Sequence, residues 1–521
     1  MNIGFVNIYP WRPHGFHSAY LEYQCNLLGH STYFLECGAS LNNCVCSKLN
    51  HRFGISEWAK CQAGKASKYN NNEVFNISSK ITNNILSQND IIKSLISSAI
   101  KYHREEVNFD YFSNPKLAQS VDQLTKSYLK TYYSTLDFID KKNLQALIVF
   151  NGRVDVTRAA IDAAKFAKIN FITHERPFTG HGIQLHINEN VIGLKNRLII
   201  NSMFDDKPLT SSQARLAGSE IAKRFLGKNI LEWRVYNLGF KKLSQWPTST
   251  NNQKILIVPS SISERAGHED WDTPWKLATE GFDLFLNSIG AKKDQVVVRF
   301  HPNWIEKREK STGESSLNHY KSWCQDNTYY YIDCHEQVST MDLIEKCDVL
   351  LLNGSTAAIE GGSLGKKIVN IGPSGFVGTG FSKFLETKES ILKFEGFENW
   401  ISKELIIRKT MRYVYNALAR FPQYVNHVRA LNTTECLAYK GANPERIENI
   451  IKTGKLEPDD SEFGSIKNEN EVLNLINNCS WEQLINLSST QIIDKDQLFL
   501  SRSFPFNRID QIRGLFKRGD L

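Results

Sequence analysis

The chain opens with an apolar stretch, NIGFVNI at 2–8, that predicts a strand. Residues 16–28 follow as a helix and end at Gly29, which can take the left-handed conformation that closes helices. STYFLEC at 31–37 predicts a second strand. Strand, helix and strand in that order open a parallel α/β unit. Residues 65–143 are rich in Asn, Ser and Lys, with helical spacing at 91–100 and 117–138, and are expected to decorate that unit. The alternation resumes with ALIVFNGR at 146–153, a helix at 155–167 and a strand at 169–174 that runs into His174-Glu175-Arg176-Pro177.

The polar, Pro-containing stretch KKLSQWPTSTNNQ (241–253) reads as a linker. Beyond it come KILIVPSS (254–261), a helix at 275–289 capped by Gly290, QVVVRF (295–300) and a helix near 316–326. YYYIDC (329–334), a helix at 339–347, VLLLN (349–353), a short helix and KIVNIG (367–372) complete the series. Strands written as continuous apolar runs are strands buried on both faces, as in a doubly wound parallel sheet. The expected fold class is α/β, with two Rossmann-like domains facing a central cleft. The expected division is 1–245 for the first domain with its helical insertion, 250–430 for the second, and 431–521 for a helical extension.

Composition narrows the picture. Of 521 residues, 41% are hydrophobic, which is ample for two cores and excludes a disordered chain. The formal net charge of +8 suits an anionic ligand but does not indicate nucleic acid, and no nucleic-acid partner is expected. No apolar run approaches the ~20 residues of a membrane helix, and the first residues do not read as a secretion signal. The ten cysteines are therefore expected as reduced thiols, with the protein cytoplasmic or peripheral to the inner membrane. Cys37, Cys44, Cys46 and Cys61 could hold zinc, but C-x6-C-x-C-x14-C lacks paired CxxC knuckles, and structural thiols are the better reading. The basic, aromatic segment 498–521 is expected to pack on the first domain, with contact to anionic lipid as the alternative.

Two strand ends in the second domain carry chemistry. VVVRFHPNW (296–304) ends its strand at Pro302, which cannot donate to a sheet, and so sets His301 at the carboxyl edge where open α/β sheets bind ligands. Arg299 could add charge there, although strand alternation can turn it away. VLLLNGSTAAIEGG (349–362) runs from a strand through Asn353-Gly354 into Ser355-Thr356 and a helix, an arrangement that offers hydroxyls and N–H groups to an anion. Glu360 falls one turn after Thr356, placed to accept from ribose hydroxyls. Alone, each motif is usually just a turn or a helix cap; their pairing at one sheet edge is much more specific.

This pair resembles the second-domain signature of bacterial GT-B glycosyltransferases of capsule and lipopolysaccharide synthesis, especially Kdo transferases and sialyltransferases. The resemblance covers about residues 250–380. It implies that the His-Pro and Ser-Thr motifs hold the CMP part of a nucleotide-sugar donor and that a glycan or glycolipid accepts the sugar. No cofactor and no divalent metal are expected.

In the first domain, Asn151-Gly152-Arg153 and His174-Glu175-Arg176 resemble the FNGR-like and THER-like segments of the same group. Glu175 is a candidate base or nucleophile; a structural ion pair with Arg153 or Arg176 is the alternative. Glu264, Asp270 and Asp272 in the segment 260–275 are rival carboxylates. Arg12, His14 and His17, in the first βα loop, are candidates for acceptor contact. The competing functions are a polyol-phosphate transferase, a nucleotide-sugar epimerase and a non-catalytic nucleotide-binding scaffold, all on the same fold.

Overall fold

The computed structural model describes all residues except 10, 39, 42, 45–60, 62–63, 70–72, 79–85, 179, 233–241, 307–312, 488–494, 510 and 512–521. The first sheet takes its strands from β1 (Asn2–Val6), β2 (Ser31–Glu36), β3 (Val74–Asn76), β4 (Ala146–Phe150), β5 (Asn170–Glu175) and β6 (Ile183–Ile187). The second is built from β7 (Ile255–Val258), β8 (Val296–Arg299), β9 (Tyr330–Ile332), β10 (Val349–Leu352), β11 (Lys367–Ile371) and β12 (Lys383–Leu385). The second sheet runs β12-β11-β10-β7-β8-β9 and is parallel throughout. In the first, β3-β2-β1-β4-β5 are parallel, and β6 and β13 (Pro422–Gln423) extend it antiparallel.

These orders place a topological switch between β1 and β4 in one sheet and between β7 and β10 in the other. Ligands of doubly wound folds bind in the crevice outside such a point. Strands β4, β7, β8 and β10 are buried along their whole length, as continuous apolar runs require. Two Rossmann-like sheets with their carboxyl ends turned to one cleft make this a GT-B fold.

The packed units cross the expected domain division. The helix Ser211–Phe225 contributes Ala214, Ala217, Ile221 and Ala222 to the core that holds Leu256, Val297 and Leu350 of the second sheet. Phe421, Tyr424, Ile447 and Ile450 join the core of the first sheet instead. Val472, Leu473 and Leu484 return to the second. An amphipathic pattern shows that a helix buries one face, not which sheet receives it, so sequence order alone could not place these crossings. The last ninety residues also contain strands, Cys436–Tyr439 and Gln497–Leu498, besides helices.

Among the described residues no helix is long and apolar enough to cross a membrane. The segment beyond 511 lies outside the described residues, as does Cys46. Cys37, Cys44 and Cys61 lie against the first apolar core.

Candidate functional site

A cleft of about 510 Å³ lies between the two sheets. Glu264, Arg265, His301, Ser355, Thr356 and Glu360 line it from one side, and Arg153, Phe178 and Arg197 from the other. Its floor is the β7–β10 switch. There the Ser260 N–H donates to Asn353 Oδ1 at 2.7 Å and the Ser260 hydroxyl to the Asn353 carbonyl at 2.9 Å. Asn353 thus ties the two strand ends together and does not itself line the cleft. Arg265 Nη2 donates to the same carbonyl at 2.9 Å and to the Ser260 hydroxyl, and its guanidinium stacks on Trp271 at 4.4 Å. Gly354 has φ +89°, and a Cβ there would run into Arg265. Burial draws the Arg265 pKa down to about 10, so the group stays charged at neutral pH.

His301 begins the short turn Pro302–Ile305, and its Nδ1 accepts the Asn303 N–H at 3.2 Å. In the neutral ring this places the proton on Nε2, a donor for a phosphate oxygen. Burial lowers the His301 pKa to about 4 against the opposing field of Glu264, so the ring is neutral at physiological pH. A base whose folded pKa is depressed favours the fold fully above its unfolded value of 6.5 and loses that contribution as pH falls toward 4. The thermal midpoint is therefore expected to drop on acidification through that window. The drop should be shallower in His301→Asn, which keeps an acceptor for the Asn303 N–H but cannot titrate; an unchanged acid limb would contradict the assignment. Arg299, although it borders the cleft, is fully buried and donates to the carbonyls of Asp333 at 2.5 Å and Glu336 at 3.2 Å, bracing the loop after β9.

Beyond Asn353, the helix Ala357–Ser363 is only seven residues long, so its end offers local groups more than a macrodipole. Ser355 Oγ accepts the Ala357 N–H at 3.4 Å. Glu360 Oε1 accepts from Arg224 Nε at 2.9 Å and Nη2 at 2.6 Å, while its buried Oε2 has no hydrogen-bond partner. Arg224 Nη1 also holds Glu232, at 2.6 Å. Gly361 and Gly362 lie inside this same helix. The structure shows side-chain packing: a Cβ on Gly361 would strike Leu350 and one on Gly362 would strike Thr410.

The loop that carries Glu264 is docked on the first unit. Glu106 accepts from the N–H groups of Ile262 at 2.8 Å and Ser263 at 3.0 Å, and Arg104 donates to the carbonyls of Asn303 and Glu306 at 2.5 and 2.6 Å. Burial raises the Glu106 carboxyl to about 7. Arg153 Nη1 donates across the cleft to the Glu264 carbonyl at 2.9 Å, and the Glu264 side chain is exposed and borders the cleft.

Glu175 sits at the edge of β5 and is not part of the cleft wall. Its Oε2 accepts from Asn151 Nδ2 at 2.8 Å, and its Oε1 lies 3.1 Å from His14 Nε2 and accepts the Arg176 N–H at 3.0 Å. Its field nonetheless reaches Arg153, as does that of Glu264. Arg176 Nη1 donates to the Leu231 carbonyl at 2.6 Å. His14 stacks on Phe150 with ring centroids 4.0 Å apart, and His17 lies deeper in the same helix, His14–Leu27. Asp270 and Asp272 flank Trp271 as an Asp-x-Asp triplet. Asp270 accepts the Leu194 N–H at 2.9 Å and Trp271 Nε1 donates to the Ile192 carbonyl at 2.9 Å, so these two residues fasten one unit to the other.

The residues that sequence reasoning passed over are Arg197, Arg224 and Arg265. Arg224 lies in the last turn of its helix, where a basic residue reads as a favourable partner of the helix end, and nothing local marks its reach to Glu360.

No protein-family model matches the chain, and no curated protein matches its sequence. Similar solved structures include a Thermosulfurimonas dismutans KpsC described as a beta Kdo 2,4 transferase. It is 14% identical, with 64% of this chain and 88% of that chain covered and a TM-score of 0.34. UDP-GlcNAc 2-epimerase from Neisseria meningitidis, bound to UDP-GlcNAc, is 12% identical over 80% of this chain and 97% of that one, with a TM-score of 0.26. Spinosyn rhamnosyltransferase SpnG is 9% identical over 80% and 95%, with a TM-score of 0.25. At such scores fold and chemistry rest on this chain's own topology and cleft.

Proposed function

We propose that the chain is a glycosyltransferase that takes a sugar from a nucleotide-sugar, with a CMP-sugar such as CMP-Kdo favoured, and passes it to a growing bacterial surface glycan or glycolipid. The observation that carries this reading is the cleft wall on which His301, Ser355, Thr356 and Glu360 face Arg153 of the other unit. A nucleotide matches that set. Its phosphate meets the His301 N–H, the hydroxyls of Ser355 and Thr356, and the charges of Arg153 and Arg265. Its ribose hydroxyls are matched to Glu360, the carboxylate that borders the same space. The aromatic walls Phe178 and Tyr413 border the same space and suit a base.

In the transfer, the bond between the anomeric carbon and the phosphate oxygen breaks and the nucleotide leaves with the electron pair. The acceptor hydroxyl forms the new bond and gives its proton to a carboxylate. Glu264, exposed and bordering the cleft, is our candidate for that base. The leaving phosphate is neutralised by protein cations, so no exchangeable divalent ion is required for donor binding. The CMP preference is carried by the resemblance of the His-Pro and Ser-Thr pair, and the cleft is compatible with it.

The test is incubation of the purified chain with CMP-, UDP- and GDP-sugars, with and without a glycan acceptor. Nucleotide release that depends on the acceptor is the expected result. An isomerised nucleotide-sugar formed without acceptor would contradict transfer and assign the fold to an epimerase.

A further inference from the structure

Behind the cleft, the first unit brings three histidines together. His14 and His17, three residues apart, share a face of the helix His14–Leu27, and His174 projects from β5. One ring nitrogen or the other of each lies within 4.8 Å of those of its two neighbours. The ring centroids form a nearly even triangle with sides of 5.9, 6.3 and 6.4 Å. All three rings are buried, His17 and His174 completely.

The hydrogen bonding of the rings is one-sided. His14 Nε2 faces Glu175 Oε1 at 3.1 Å, His174 Nε2 faces Ser18 Oγ at 3.0 Å, and His17 Nε2 faces Cys436 Sγ at 3.8 Å. Nδ1 of every one of the three is buried without a hydrogen-bond partner. Buried polar atoms are rarely left so, and three in one cluster require an explanation. Metal-bound histidines show this division of labour: one nitrogen takes the ion, and the other donates to a carboxylate, hydroxyl or similar group that fixes the ring.

We propose that His14, His17 and His174 form a transition-metal site, matched best to zinc, that pins the first helix to β5. Three imidazoles are a donor set for zinc, with a fourth position left over. Tetrahedral binding at about 2.0–2.1 Å brings ligand nitrogens to about 3.3 Å of one another, so the rings close inward by about 1 Å. Through His14 Nε2 the ion would also orient Glu175. This site is independent of the donor cleft and of its nucleotide.

The test is metal analysis of the full chain after stripping with chelator, reconstitution with zinc chloride and desalting. The expected content is about one zinc per chain. Cobalt in its place should give the visible absorption of a tetrahedral site, and either metal should raise the thermal midpoint. His17→Gln keeps a polar end near Cys436 but removes Nδ1, and should retain less than about a tenth of the metal. His174→Gln, placed on the strand, serves the same purpose should the first variant misfold. Cys44→Ser should retain the full content. Reconstituted wild type without bound metal, metal kept by folded His17→Gln, or metal lost in Cys44→Ser would each overturn the proposal.

Discussion

Glu264→Gln is expected to lower turnover by about 10²–10⁴-fold, the range for loss of an acid–base group, while nucleotide affinity stays within a few-fold of wild type. The substitution keeps the size of an exposed side chain and leaves the backbone carbonyl that receives Arg153 in place. Glu175→Gln is the paired variant. Glu175 already accepts from Asn151 and the Arg176 N–H and lies against His14, and it influences the cleft through the field it exerts on Arg153. Its loss should cost less, about 10-fold. Steady-state kinetics on both variants decides between them. Near-normal turnover in Glu264→Gln together with collapse in Glu175→Gln would move the reaction to the edge of β5.

Arg224→Met is expected to destabilise the chain by about 3–5 kcal/mol, because it strands two buried carboxylates at once. Arg224, Glu232 and Glu360 have side chains 8%, 6% and 4% exposed, so solvent cannot take over from the missing guanidinium. The urea midpoint of the transition that includes the second sheet should fall accordingly. Nucleotide affinity should fall as well, since Arg224 fixes the Glu360 carboxylate that borders the cleft. Adding Glu232→Gln and Glu360→Gln to Arg224→Met removes the stranded charges and should restore much of the stability but not the affinity. A midpoint unmoved by Arg224→Met would show that the triad is hydrated and would weaken the account of Glu360.

Much of the second unit was legible because its strands are short apolar runs with sharp ends. VVVRFHP announces a buried strand that must stop, and the position of His301 follows from that stop. Asn353, Ser355, Thr356 and Glu360 were legible for the same reason, although Asn353 serves the sheet edge and not the cleft wall. The arginines were not legible. Arg265 depends on a loop that folds back over β10, and Arg224 on a helix that crosses to the other core. The separate fates of Glu264 and Glu175 were equally hidden. Glu264 lies on a loop that Ile262 and Ser263 dock on Glu106, whereas Glu175 ends β5 and is held by Asn151, His14 and the Arg176 N–H, contacts between distant segments that no local pattern announces. The histidine triangle has no motif at all, because His174 is 157 positions from His17 and meets it only through the β1–β4–β5 pairing.

The central claim is that one wall of the second unit holds the nucleotide, and calorimetric titration tests it most directly. CMP, CDP, UDP and GDP would be titrated into wild type and into His301→Ala, with circular dichroism to verify that the variant is folded. The account predicts saturable binding of a nucleotide to wild type, CMP favoured, without added divalent metal, and affinity lowered at least about tenfold in the variant, as loss of a hydrogen bond to a charged phosphate implies. Equal affinity in a folded His301→Ala, or no binding of any of the four nucleotides to wild type, would contradict it.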